Sequence, residues 1–228
     1  IIARIVGKDA YGQYGTIKNM MTAFAALVAF GFGYSSTKII SSNNSKSSGL
    51  SSAILKIVLI IGIILNILFC FIAKNLSEFL NKPDLYTYFI PIGILMLLKA
   101  LCTTSTGILA GYKLFKQISI CNIVSSIIFT ALSIPLSSRL GINGAILDLI
   151  IYQGLAAFLC YICVKKHEGG GRKLHTSIWK LLKFTFPIAI HELSHTISSI
   201  AVIMVILHYS TYGEYALYTV STQWNAII

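Results

Sequence analysis

The chain has 228 residues, 56% hydrophobic and only 11% charged, with a mean hydropathy of +0.79. That is too apolar for a soluble domain, and the apolar runs are continuous, without the two-residue alternation of a transmembrane β-barrel. The 18 Lys and Arg against 7 Asp and Glu give a net charge of +11, which in a membrane chain reflects the positive-inside rule and gives no reason to expect nucleic acid as a partner.

In chain order, residues 1–6 read as the tail of a first helix and 7–12 as a short connection. The second helix is expected over about 14–34, with Lys18 near its start, followed by a Ser/Asn-rich loop at 41–52. Residues 53–72 form the third helix and 74–84 a mixed-charge loop. The fourth helix, about 85–109, has Pro91 in its first turns and Lys99 inside. A basic turn at 111–116 leads to the fifth helix, about 117–136. Residues 137–144, with Arg139 and two glycines, read as a loop, and about 145–164 as a sixth helix containing Asp148. The stretch 165–183 combines Lys165, Lys166, Arg172, Lys173, Lys180 and Lys183 with three consecutive glycines, Gly169 to Gly171, and reads as a linker. The seventh helix is expected over 184–207 with Pro187 in its first turn, and 215–228 begins an eighth.

The expected architecture is therefore an all-α polytopic transmembrane bundle. Residues 1–164 form an N-terminal bundle, 165–183 a basic cytoplasmic linker, and 184–228 the start of a C-terminal bundle. Tyr11-Gly12-Gln13-Tyr14 returns as Tyr212-Gly213-Glu214-Tyr215, and Ile2 and Ile5 match Ile203 and Ile206 in the same register, so the two bundles read as repeats. In that register the chain begins late in a first helix, whose remainder is expected to precede Ile1. The loops after helices two, four and six hold eleven cations and one acid, Glu168. The opposite loops hold Arg4, Lys8, Lys74, Lys82 and Arg139 beside Asp9, Glu78, Asp84 and Glu214. The basic set is placed in the cytoplasm, which sends both Tyr-Gly-x-Tyr motifs to the outer face as the loops that open each bundle. The five cysteines all fall in apolar segments, and Cys160 and Cys163, a CxxC pair, read as packing residues.

Four ionisable residues fall inside spans: Lys18, Lys99, Asp148 and Glu192, the last flanked by His191 and His195. A charge at mid-bilayer costs on the order of 3 kcal/mol on insertion scales, so these side chains should face a protein interior or a watery cavity. Helix rise places Lys18 and Asp148 in the outer half of the membrane and Lys99 and Glu192 in the inner half. Two roles compete: ion pairs that hold helices together, or contacts to a transported substrate or coupling ion. His191-Glu192-Leu193-Ser194-His195 is also a formal HExxH, the pattern that binds zinc in metalloproteases. It needs a third ligand, and Glu214 would lie roughly 28 Å away along a continuous helix, so a polar face lining a cavity is the preferred reading and no metal is expected.

Ala3-Arg4-Ile5-Val6-Gly7-Lys8-Asp9-Ala10-Tyr11-Gly12-Gln13-Tyr14 resembles the first outer loop of polysaccharide flippases, where Ala-Arg-x-Leu-Gly-x-x-x-Tyr-Gly-x-Tyr is typical. Pro187-Ile188-Ala189-Ile190-His191 followed by Ser194 is similar to that family's seventh-helix pattern Pro-Leu-Ile-Pro-His-x-Leu-Ser, with Ile190 in place of the second proline. The family's Asp-Arg near the end of this helix has no counterpart between Ile197 and Leu207. The chain thus resembles Wzx-type O-antigen flippases of the multidrug/oligosaccharidyl-lipid/polysaccharide exporter superfamily. The resemblance implies a MATE-like fold of about twelve helices, of which this chain holds about six complete and two partial ones. It also implies movement of an undecaprenyl-pyrophosphate-linked oligosaccharide (an O-antigen repeat unit) across the bacterial inner membrane by alternating access, with no covalent chemistry. Lys18 and Lys99 would meet the pyrophosphate, and Asp148, His191, Glu192 and His195 complete the candidate cavity set. Asp148, Glu192 and the histidines are the candidate carriers of a coupling H+, with Na+ the alternative. No organic cofactor is expected, and the partners are the lipid-linked oligosaccharide, membrane lipids and other polysaccharide assembly proteins. An exporter of drugs or organic cations is the runner-up, with an intramembrane zinc protease behind it.

Overall fold

The computed structural model describes residues 2–42, 49–168 and 178–225. Among these the structure is helical throughout: α1 (Ile2–Val6), α2 (Lys8–Ala29), α3 (Phe32–Ser42), α4 (Leu50–Phe79), a 3-10 turn (Pro83–Tyr88), α5 (Phe89–Gly111), α6 (Phe115–Glu168), α7 (Ile178–Tyr209) and α8 (Tyr212–Asn225). Among the described residues four helices are long and apolar enough to cross a membrane, and α2 with α3, bent by 43° at their junction, together have the length and apolarity of a further, broken one.

The helix α6 is too long for one crossing. Its 54 residues extend about 80 Å at 1.5 Å each, against a hydrocarbon core of about 30 Å. It reverses at Gly141, where φ is 58° and ψ −132°, a conformation open to glycine at little cost. Residues on either side of this point then meet as pairs: Phe129 with Tyr152 at 5.2 Å between rings, and Cys121 Sγ with Cys163 Sγ at 3.8 Å. α6 is therefore a helical hairpin of two limbs, the expected fifth and sixth helices. The expected loop at 137–144 is corrected to a turn around a single glycine, with both flanks still helical.

Three further expectations are corrected. The second helix starts at Lys8, so Tyr11-Gly12-Gln13-Tyr14 lies within α2 and not in a loop. That helix is also broken, because Phe30 and Gly31 adopt φ of 45° and 72° before α3 resumes. Gly31 is where the backbone of α7 comes closest: a Cβ there would sit 3.1 Å from the amide nitrogen of Ala189. The seventh helix begins at Ile178, which leaves Pro187 in its interior and not in its first turn. The ends of the expected linker are helical, in α6 to Glu168 and in α7 from Ile178, and residues 169–177 between them lie outside the described residues.

Helix α5 is the hub, packing against α2, α3, α4 and α6. Its Ile92, Leu95, Met96 and Ala100 are buried with Ile17, Met20 and Met21 of α2 and Ile54 and Val58 of α4. Close approach rests on small residues, as is usual where helices meet in lipid. A Cβ on Gly107 would overlap the carbonyl of Gly33, and Thr37 Oγ1 donates to the Gly107 carbonyl at 2.8 Å. The other face of α4 is apolar and open: Ile60, Ile64, Ile67 and Phe71 follow helical spacing and are 55–78% exposed. Such a stripe faces hydrocarbon.

Candidate functional site

The repeated motifs meet. Gly12 of α2 lies against the backbone of Tyr212 at the start of α8, so close that a Cβ would overlap the Tyr212 carbonyl. Reciprocally, a Cβ on Gly213 would come within 2.7 Å of Asp9 Oδ1, and one on Gly15 within 2.9 Å of Thr219 Oγ1. The two Tyr-Gly-x-Tyr copies therefore cross at one end of the molecule, each offering its glycine to the other helix. Tyr14 and Tyr215, the last residues of the copies, are both buried, and Asn19 Nδ2 donates to Tyr215 Oη at 2.8 Å across the crossing. Glu214 belongs to a capping box at the start of α8: the Thr211 amide donates to Glu214 Oε2 at 3.3 Å, and the Glu214 amide to Thr211 Oγ1 at 3.4 Å.

Beyond the crossing, α2, α7 and α8 diverge around a cavity of about 500 Å³. Its wall on α2 is Asn19, Thr22, Ala23 and Ala26; α7 contributes Glu192, His195, Thr196 and Ser199, and α8 contributes Tyr218 and Thr222. The α7 residues recur at three- and four-residue spacing and form a single polar stripe. That size lies within the roughly 300–1,000 Å³ of small-molecule sites, and hydroxyl and amide groups of this kind suit a ligand rich in hydroxyls.

Of the six expected site residues, Glu192 and His195 line this cavity. His191 is exposed on α7. Lys18 sits one turn from Thr22, whose hydroxyl donates to the Lys18 carbonyl, so it borders the cavity wall without lining it. Lys99 lies on α5, the helix that packs against α2, and is close enough to act electrostatically on Lys18. Neither lysine makes an ion pair with a described residue. Asp148 stands apart on the second limb of α6, fully buried, with Tyr14 and Ser133 as its polar neighbours and no hydrogen bond of normal geometry on either carboxylate oxygen. Among the described residues, helix-holding ion pairs are thus not formed by Lys18, Lys99 or Asp148. Among the described residues no three His, Cys, Asp or Glu side chains converge as metal ligands around His191 and His195.

Asn19, Thr22, Ser199 and Tyr218 were not among the residues expected from the sequence. The hydroxyl pattern on α7 was a usable signal. The contributions of α2 and α8 depend on a crossing that joins residues 196 positions apart, which periodicity does not report.

A sequence model described as Polysaccharide biosynthesis protein matches residues 1–228. The chain belongs to that family. The polysaccharide biosynthesis family comprises the flippases that the Tyr-Gly-x-Tyr and seventh-helix motifs resemble, and membership agrees with a multi-pass helical membrane protein. No curated protein and no solved structure matches the chain.

Proposed function

We propose that the chain is part of a flippase that carries a lipid-linked oligosaccharide, pyrophosphate and sugars included, between the leaflets of a bacterial inner membrane by alternating access. The observation that carries this reading is that Lys18 and Lys99, inside spans on the packed helices α2 and α5, make no ion pair with an acid among the described residues. Two unpaired cations are costly to keep in spans, which makes sense where an anionic ligand completes the site. Sugar hydroxyls would be held in the adjoining cavity by Asn19, Thr22, Glu192, His195 and Ser199. A pyrophosphate and sugars cannot pass hydrocarbon unaided, because their charges and hydroxyls would be buried unpaired.

On this reading, residues up to 164 form one bundle and those from 184 open a second, with the basic loop ends in the cytoplasm and the motif crossing as the outer contact between bundles. Rocking about such an interface exposes the cavity to each side in turn. Asp148, sealed away without a counter-ion, is the site proposed for the coupling H+ or Na+. The process requires no bond making, and His195 of the HELSH stretch serves as cavity wall. Complementation tests the reading. The full-length protein, expressed in a strain lacking its own lipid-linked oligosaccharide flippase and supplied with a matching repeat unit, should restore surface polysaccharide. Failure to restore it with a verified, membrane-inserted protein would count against the reading.

A further inference from the structure

A second cavity is lined by other helices and shares no residue with the first. It is a groove of about 610 Å³ between α4, α5 and the second limb of α6. Its body is apolar, with Leu59, Leu98, Leu101 and Phe158 among its lining residues, and two cations, Lys56 and Lys165, stand at one end. Lys56 is near the start of α4 and Lys165 near the end of α6, so both belong to the same basic end of the molecule as Lys113, Lys116 and Lys166. Both are exposed, and neither makes an ion pair with a described residue.

The dimensions match one leaflet. Along their helices, Phe158 lies about 10 Å and Leu98 about 20 Å from the basic end, bracketing the ~15 Å half-thickness of a hydrocarbon core. The groove is open to the side: Leu59, Phe158 and Tyr161 are 41%, 60% and 47% exposed. Its floor is lowered by Gly154, where a Cβ would meet only Leu98 Cδ1 at 3.7 Å. A ligand that suits these walls has a single anionic head and long apolar tails that enter from the bilayer.

We propose that this groove binds one anionic glycerophospholipid from the leaflet at the basic end, with its phosphate at Lys56 and Lys165 and an acyl chain along Leu59, Leu98 and Phe158. A zwitterionic phospholipid brings its own ammonium group, which competes with the lysines for the phosphate, so the site discriminates by net head-group charge. Basic pockets between transmembrane helices on the cytoplasmic side recognise anionic lipids by this chemistry.

The test uses full-length protein purified in detergent and exposed to equimolar phosphatidylglycerol and phosphatidylethanolamine, with retained lipid read by native mass spectrometry. The wild-type protein should keep one phosphatidylglycerol in preference to phosphatidylethanolamine. The Lys56→Gln/Lys165→Gln variant should lose that preference by about tenfold or more, with phosphatidylethanolamine unchanged. Gly154→Leu keeps both lysines but fills the floor, and should exclude the lipid while melting like the wild type. Equal retention of the two lipids by the wild type would overturn the proposal. So would unchanged phosphatidylglycerol binding in both variants, or its displacement by an equimolar polyprenyl phosphate.

Discussion

Replacing Lys18 and Lys99 together by Ala is expected to abolish transport while leaving the protein at least as stable as before. Each charge-assisted contact to a phosphate contributes about 1.5–3 kcal/mol, so losing two removes about 3–6 kcal/mol, or roughly two to four decades in apparent substrate affinity. Each single variant should fall between the wild type and the double variant. Stability should move the other way. Neither ammonium group has an acidic partner among the described residues, so removing them spares the cost of keeping two charges in the bundle. The measurements are surface polysaccharide in a flippase-deficient strain and thermal unfolding of the purified full-length protein. Loss of transport with raised thermal stability is the signature of a functional site. Normal polysaccharide from the double variant would remove the lysines from the mechanism, and a large drop in stability would assign them a structural role.

The second large effect is expected at Gly12. A side chain there must displace the Tyr212 backbone, so Gly12→Leu should force α2 and α8 apart at the motif crossing. Overpacking of this kind costs about 1–3 kcal/mol, enough to shift an open–closed equilibrium by roughly 5- to 150-fold. Asn19 lies just beyond the crossing, on the cavity wall, and serves as the reporter. In a full-length protein with its native cysteines replaced, Asn19→Cys should react slowly with a membrane-impermeant maleimide added from the outer side. Adding Gly12→Leu should raise that rate several-fold and reduce transport. An unchanged rate would mean that the crossing does not close the cavity to that side.

Much of this architecture is legible in the chain because hydrophobic periodicity and length are local signals. The helices around Lys99 and Asp148 and the seventh helix were expected within a few residues of α5, the second limb of α6 and the core of α7. Several of the errors fall on glycines, whose two uses look alike in a sequence. Gly141 does take a positive φ and turns the chain, within one residue and without a loop. Gly12 was read as part of a connection and proves to be helical, since what it supplies is the absence of a side chain where another helix crosses. Gly31, next to Phe30, does both at once, breaking a helix and admitting α7.

The candidate site was half legible for a related reason. Charge inside a span is conspicuous, so Lys18, Lys99, Asp148 and Glu192 stand out in any apolar run. Their partners do not. Counting residues along separate helices gives each a depth but does not report that α2 packs on α5, which brings Lys99 within electrostatic reach of Lys18. The CxxC pair shows the same limit: Cys163 Sγ meets Cys121 Sγ at 3.8 Å across the two limbs of α6, and Cys160 and Cys121 are both buried.

The central claim is that this chain belongs to a protein that moves a lipid-linked saccharide between leaflets, using the paired lysines beside a hydroxyl-lined cavity. Leaflet translocation itself is the most direct measurement. Full-length protein in proteoliposomes would be supplied with a fluorescent polyprenyl-pyrophosphate-linked saccharide, and an impermeant reductant would quench only the outer leaflet. The expected result is protein-dependent loss of the protected inner-leaflet fraction, reduced to the protein-free rate by Lys18→Ala/Lys99→Ala. Transfer no faster than in protein-free vesicles, or equally fast in the double variant, would contradict it.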